Sequence, residues 1–201
     1  MDDKKIDTLA KRVAASKVWI TPTILVMDYQ TISSSEAAAV VKSEGTSSVP
    51  TFERKMWPDP RQIVDVGQQK RDAARSNFRK MLVALRKHHA RFLIGTDCGN
   101  PFVVAGYSFP EEAEELVSAG FSRSEVLRAA TVNAAESLGR NDLGAVAVGK
   151  TADFVLLNAS PLEYIHAMKS VEGVVVKGRW YSKEQIQRLI DTSTKAPSKP
   201  N

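Results

Sequence analysis

A chain of 201 residues with 43% hydrophobic content is long enough to bury a core in one domain, or in one domain with a small appendage. No apolar run approaches the roughly 20 residues of a membrane helix, and the single cysteine, Cys98, excludes an internal disulfide framework and any cysteine-based zinc site. The formal charge of +5 is spread over helical segments with no basic stripe interleaved with aromatics, which predicts a solvated surface, no nucleic-acid partner and no membrane partner.

At the amino end, Ile6, Leu9, Ala10 and Val13 repeat at i, i+3, i+4 and i+7. A helix with one apolar face therefore leads into the β-prone run Val18-Trp19-Ile20, which Pro22 stops. Residues 28–69 then turn to Ser, Thr, Glu, Pro and Lys without sustained periodicity, and so long a segment is expected to be a lid, a binding loop or disordered. Helical spacing returns with Ala74, Phe78, Met81, Leu82 and Leu85. After His88-His89-Ala90, the run Arg91-Phe92-Leu93-Ile94-Gly95-Thr96-Asp97 reads as a second buried strand with a carboxylate at its tip. Pro110, at a first helical position, opens another helix through Leu116 that Gly120 closes, and Ser122 with Glu125 forms a capping box for the next. Past Gly139, short strands are expected at 146–148, 154–157 and 171–176, followed by a helix at 183–190 and a loose tail at 192–201. The expected class is α/β.

If the two helix–strand units are parallel, Thr21-Pro22-Thr23 and Thr96-Asp97-Cys98 emerge on the same rim, where barrel enzymes hold their catalytic groups. Asp97 is then placed to ligate a metal or act as a general base; alternatively its side chain caps the following turn. His88 and His89 end a helix that leads into a strand, so they belong to the opposite rim as surface residues. His166 reads as a surface or turn residue and Asp153 as a turn residue. Cys98 reads as a packing residue, since no histidine is placed to activate its thiol. Glu111, Glu112, Glu114 and Glu115 read as a solvated face at a helix amino end. Tyr29, Trp57, Phe102 and Tyr107 either line an apolar pocket or pack the rim loops together.

Five blocks follow one another at characteristic spacing: Trp19-Ile20-Thr21-Pro22-Thr23, Gly95-Thr96-Asp97, Thr131-Val132-Asn133-Ala134-Ala135-Glu136-Ser137-Leu138-Gly139, residues 144–155 and residues 171–178. In combination they resemble the carboxyl-terminal half of the metal-dependent amidohydrolase superfamily, particularly its imidazolonepropionase-like and prolidase-like members. The resemblance implies a partial TIM-type (β/α) barrel over residues 1–140, the last strands of a composite β-sandwich over 141–182, and a short helix with a disordered tail over 183–201. It implies hydrolysis of non-peptide amide or related C–N bonds in a small-molecule substrate by water activated on a divalent metal, zinc in the first instance. Asp97 corresponds to the aspartate that ligates the metal and moves a proton between the attacking water and the leaving amine. The family's other ligands are a His-x-His pair on the first strand, a carbamylated lysine or glutamate on the fourth, and histidines on the fifth and sixth; His88, His89 and His166 match none of them.

Three readings follow. The chain is part of a hydrolase and inactive by itself, or a non-catalytic fragment or interaction subunit that associates through exposed barrel edges, or a small independent α/β binding domain that uses residues 28–69. Because Met1-Asp2-Asp3-Lys4-Lys5 opens no signal segment, the default compartment is the cytoplasm, with export left open if the chain continues upstream.

Overall fold

A computed structural model describes residues 2–195. Helix α1 (Asp3–Ala15) starts where the Asp2 carboxylate accepts hydrogen bonds from the Lys4 and Lys5 amides, and it buries Ile6 and Ala10. The chain then enters strand β1 (Trp19–Ile20), which pairs in parallel with β2 (Arg91–Phe92), Trp19 opposite Arg91 and Ile20 opposite Phe92. Parallel neighbours require a long crossover. Helix α5 (Gln68–Lys87) provides it, and Ala10, Ile24, Leu82, Leu85, Phe92 and Leu116 close into one core around the strand pair.

Both strands are shorter than the apolar runs suggest. The last rung runs from the Leu93 amide to the Ile20 carbonyl, at 2.8 Å. Beyond it Pro22 has no N–H to continue the ladder, so residues 93–97 run on without strand pairing among the described residues.

The stretch after β1 is ordered. It forms α2 (Ile24–Tyr29), α3 (Ser34–Val41) and α4 (Thr51–Arg54), with 3-10 turns at Glu44–Ser48 and Pro60–Gln62. Of the alternatives expected for residues 28–69, disorder is therefore excluded over this stretch. Local signals account for it: Ser33 and Glu36 make a reciprocal capping box before an alanine run, and Ile32, Ala37 and Phe102 are buried among Tyr29, Trp57 and Ile63.

Helix α6 (Ser108–Ser118) begins two residues before Pro110, whose missing N–H falls among the amides that have no helical partner anyway. It is followed by α7 (Arg123–Ala130), which has the expected Ser122–Glu125 capping box, and by α8 (Val132–Ser137).

The β-rich part is a three-stranded antiparallel sheet in the order β3 (Phe154–Leu157), β4 (Val171–Val176), β5 (Arg179–Ser182). The strand expected at 146–148 does not form. Gly144 and Gly149 both take positive φ, and the ends of the loop between them are tied together by the Lys150 ammonium, which donates to the Asn141 and Leu143 carbonyls. Strand β5 was not anticipated; Lys177 and Gly178, at φ 49° and 78°, make the two-residue turn that twists correctly for a hairpin. Trp180 on β5 covers Gly173 on β4 so closely that a β-carbon at Gly173 would meet the indole at 1.9 Å.

Helix α9 (Lys183–Lys195) takes up residues 192–195 of the expected tail; residues 196–201 lie outside the described residues. Among the described residues no helix is long and apolar enough to cross a membrane.

Candidate active site

The two strand tips meet side by side. A β-carbon on Gly95 would stand 2.6 Å from the Thr21 γ-methyl, so only glycine lets the segment after β2 pass Thr21 at this distance. Behind the tips, Asn133 of α8 donates from Nδ2 to the Phe92 carbonyl at 2.9 Å, and Arg91 pairs with Glu136 while its guanidinium stacks 3.8 Å over the Trp19 ring. Gly144, at φ 82°, lies against Ala135 and the Thr131 carbonyl with no room for a side chain. Motifs that are separate in the sequence are thus joints between neighbouring elements.

Asp97 stands exposed at the end of its segment with φ 52°. Its main-chain carbonyl accepts from Asn100 Nδ2 at 2.9 Å and from the Asn100 amide at 3.4 Å. The turn is therefore held by the backbone of Asp97, and its carboxylate, which takes no hydrogen bond among the described residues, does not act as a cap. Cys98 is exposed, in contrast to the expected packing role, because the bridge between Cys98 and Asn100 turns the chain outward at this point.

The expected solvated glutamate face is also corrected. Glu112 is fully buried, and its two carboxylate oxygens accept from the Ile24 amide at 2.8 Å and the Leu25 amide at 3.0 Å. It clamps the first turn of α2 directly after Thr23, which is held at φ 49°. Sequence spacing contained a signal: Glu112 falls four and seven residues before the buried Leu116 and Ala119, in phase with the apolar stripe of α6. The charges of Asp28 and Glu115 act on this carboxylate, and they are themselves paired with Arg75 at 2.9 Å and Arg79 at 2.6 Å.

Burial raises the Glu112 pKa to about 7, against the opposing pull of the two amide hydrogen bonds and with help from the neighbouring Glu115 and Asp28 charges. Burial also raises Asp28, with Arg75 opposing. A carboxyl group whose pKa is higher folded than unfolded retains a proton in the folded state that the unfolded chain has released. Its contribution is full below about pH 4.5 and is lost as pH rises through about 7. At about 1.4 kcal/mol per pKa unit the loss is about 3 kcal/mol. Thermal melts followed by circular dichroism should accordingly show a Tm roughly 5–10 °C lower at pH 8 than at pH 5. In Glu112→Gln most of this slope should vanish; a Tm that rises from pH 5 to pH 8 in the parent chain would refute the assignment.

The histidines stand where the helix–strand order put them. His88 caps the end of α5 and its Nε2 pairs with Asp7 at 2.9 Å, His89 is exposed at φ 58°, and His166 pairs through Nδ1 with Glu114 of α6 at 2.5 Å. Asp153 has the expected turn role, accepting from the Lys177 amide at 2.5 Å. A catalytic divalent metal needs about three protein donors converging on one point. Among the described residues no three His, Cys, Asp or Glu side chains are so grouped, so the side chains in hand do not fit such an ion unaided.

With a parallel strand pair, its crossover helix and an acidic tip in place, the chain belongs to the amidohydrolase family, whose model matches residues 3–181. It is 35% identical over 104 residues to an imidazolonepropionase of Psychrobacter cryohalolentis, a match covering 48% of this chain and 23% of that protein. It is 29% identical over 125 residues to an adenine deaminase of Brucella suis, covering 60% of this chain and 21% of that protein. Among solved structures it superimposes on a bottromycin amidohydrolase with a TM-score of 0.72 at 29% identity, over 88% of this chain and 39% of that one. The chain thus spans less than a quarter of the length of these curated relatives.

Proposed function

We propose that the chain is the carboxyl-terminal part of a metal-dependent amidohydrolase that cleaves non-peptide amide or related C–N bonds in small molecules. The single observation behind this reading is an exposed carboxylate, Asp97, beyond the carboxyl end of a parallel strand and two residues past Gly95, which abuts the Thr21 tip of the neighbouring strand. In this reading residues 1–140 are the last part of a (β/α) barrel, 141–182 the last strands of a composite β-sandwich, and 183–201 a terminal helix and tail. Asp97 accepts the proton of the attacking water and returns it to the leaving amine. A metal, zinc in the first instance, would bind Asp97 together with further donors, since the described residues bring no group of three ligands together.

A second reading, a non-catalytic interaction subunit, draws on one observation. Phe154, Val155 and Leu156 of the sheet-edge strand β3 are all exposed, as are Val146 and Val148 in the loop that precedes it in the chain. Zinc retention separates the two. The isolated 201-residue chain, dialysed against buffer and analysed by mass spectrometry for metal, should keep far less than one zinc per chain and show no hydrolase activity. The complete enzyme should keep its zinc stoichiometrically. Tight stoichiometric zinc in the isolated chain would overturn the view that donors come from elsewhere, and a complete protein without metal or turnover would favour the interaction subunit.

A further inference from the structure

Beside the Asp97 turn lies a cavity of about 280 Å³, walled by Val26, Tyr29 and Ile32 on and just after α2, by Phe102 after the turn, and by Ile63 and Val66 of the long excursion. No charged residue lines it. Three features point to an occupant. Asn100 both lines the cavity and, through its side-chain and main-chain amides, holds the main-chain carbonyl of Asp97, so whatever fills the cavity lies against the residue that fixes the Asp97 turn. Phe102 is 3% exposed yet held at φ 70°, a conformation unfavourable for a bulky side chain, and its ring is kept there by Tyr29 and Trp57 at centroid distances of 6.3 Å and 5.3 Å. Strain of this kind collects where a binding wall must hold its shape. Finally, cavities of ~150 Å³ already hold a benzene ring and whole-ligand pockets begin at ~300 Å³, so this one suits a single substituent.

We propose that this cavity is the specificity subsite of the Asp97 centre, and that it takes one uncharged apolar group of the substrate, branched-aliphatic or phenyl in size. The proposal rests on the hydrolase reading for its purpose, whereas every wall residue it invokes belongs to this chain. The long excursion is then a fixed wall of the site and not a mobile lid. A charged substituent would have to shed its hydration against an uncharged lining, which disfavours it strongly.

Titration of the isotope-labelled 201-residue chain with N-acetyl-L-phenylalaninamide, followed by NMR, tests the subsite directly. Expected are millimolar binding, as for a fragment of this size, shifts confined to the cavity residues and the amides of residues 97–102, and binding at least about tenfold weaker for N-acetyl-L-lysinamide. Val64 lines the mouth and is 84% exposed, so Val64→Glu should leave the fold intact and weaken the phenyl probe about tenfold. No shifts at the cavity, equal binding of the lysine compound, or unchanged binding in Val64→Glu would each overturn the proposal. Failure of the hydrolase reading looks different: the probe still binds here, while the complete protein retains no metal and turns over no amide.

Discussion

Replacing Glu112 by alanine is expected to destabilise the chain by about 4 kcal/mol at pH 5, since two buried amides lose their acceptor at roughly 1–3 kcal/mol each. The donors are fixed: the Ile24 and Leu25 amides begin α2, and both residues are buried. At pH 8 the cost should shrink to about 1 kcal/mol, because the variant is also relieved of a buried ionised carboxylate whose pKa lies at about 7. Urea unfolding of parent and variant at both pH values measures this difference. Hydrogen exchange locates it, with protection lost first at Ile24 and Leu25. An equal cost at the two pH values, with those amides still protected, would mean that the clamp is incidental to stability.

The clamp also bears on the rim. Thr23 is β-branched and held at φ 49°, a backbone region such residues strongly avoid, and it directly follows the Thr21-Pro22 tip that touches Gly95. The amides of the next two residues donate to the Glu112 carboxylate at 2.8 Å and 3.0 Å and stabilise that conformation from behind. The buried carboxylate of α6 thus determines where the β1 tip lies, and through Gly95 the β1 tip limits where the Asp97 segment can run.

What could be read in advance depended on whether a residue's role is local. The capping boxes at Ser33 and Ser122 are complete within four residues, and the one at Ser122 was legible from spacing. The strand before Asp97 was legible because an apolar run and its acidic terminus lie together in sequence, but its pairing stops at Phe92, five residues short of the carboxylate, where Pro22 interrupts the neighbouring strand. Glu112 was not, because its partners are 87 and 88 residues away, and four glutamates near a helix start fit a solvated amino end equally well. The short β segments failed for a related reason. Val146 and Val148 have strand-like composition but no neighbouring strand, whereas Arg179–Ser182 has unremarkable composition and pairs because the Lys177-Gly178 turn delivers it onto β4. Asn133 and Gly144 could be recognised as parts of motifs, but their purpose, bonding β2 and admitting a close loop, exists only in three dimensions.

Asp97→Asn in the complete enzyme is expected to lower kcat by a factor on the order of 10³, within the 10²–10⁴ typical of a lost general acid–base group, with KM changed far less. The substitution is well suited to the question because it preserves shape. Asparagine tolerates the left-handed region as readily as aspartate does, so φ 52° at this position is retained, and the Asn100 bonds go to the main-chain carbonyl, which is untouched. An exposed side chain without hydrogen-bond partners among the described residues contributes little to the fold. Stability of the isolated chain should therefore change by less than about 0.5 kcal/mol. What the variant loses is the negative charge and the capacity to take a proton from water. Full turnover in Asp97→Asn would remove this carboxylate from the chemistry, and a large loss of stability in the isolated chain would show that its role is structural.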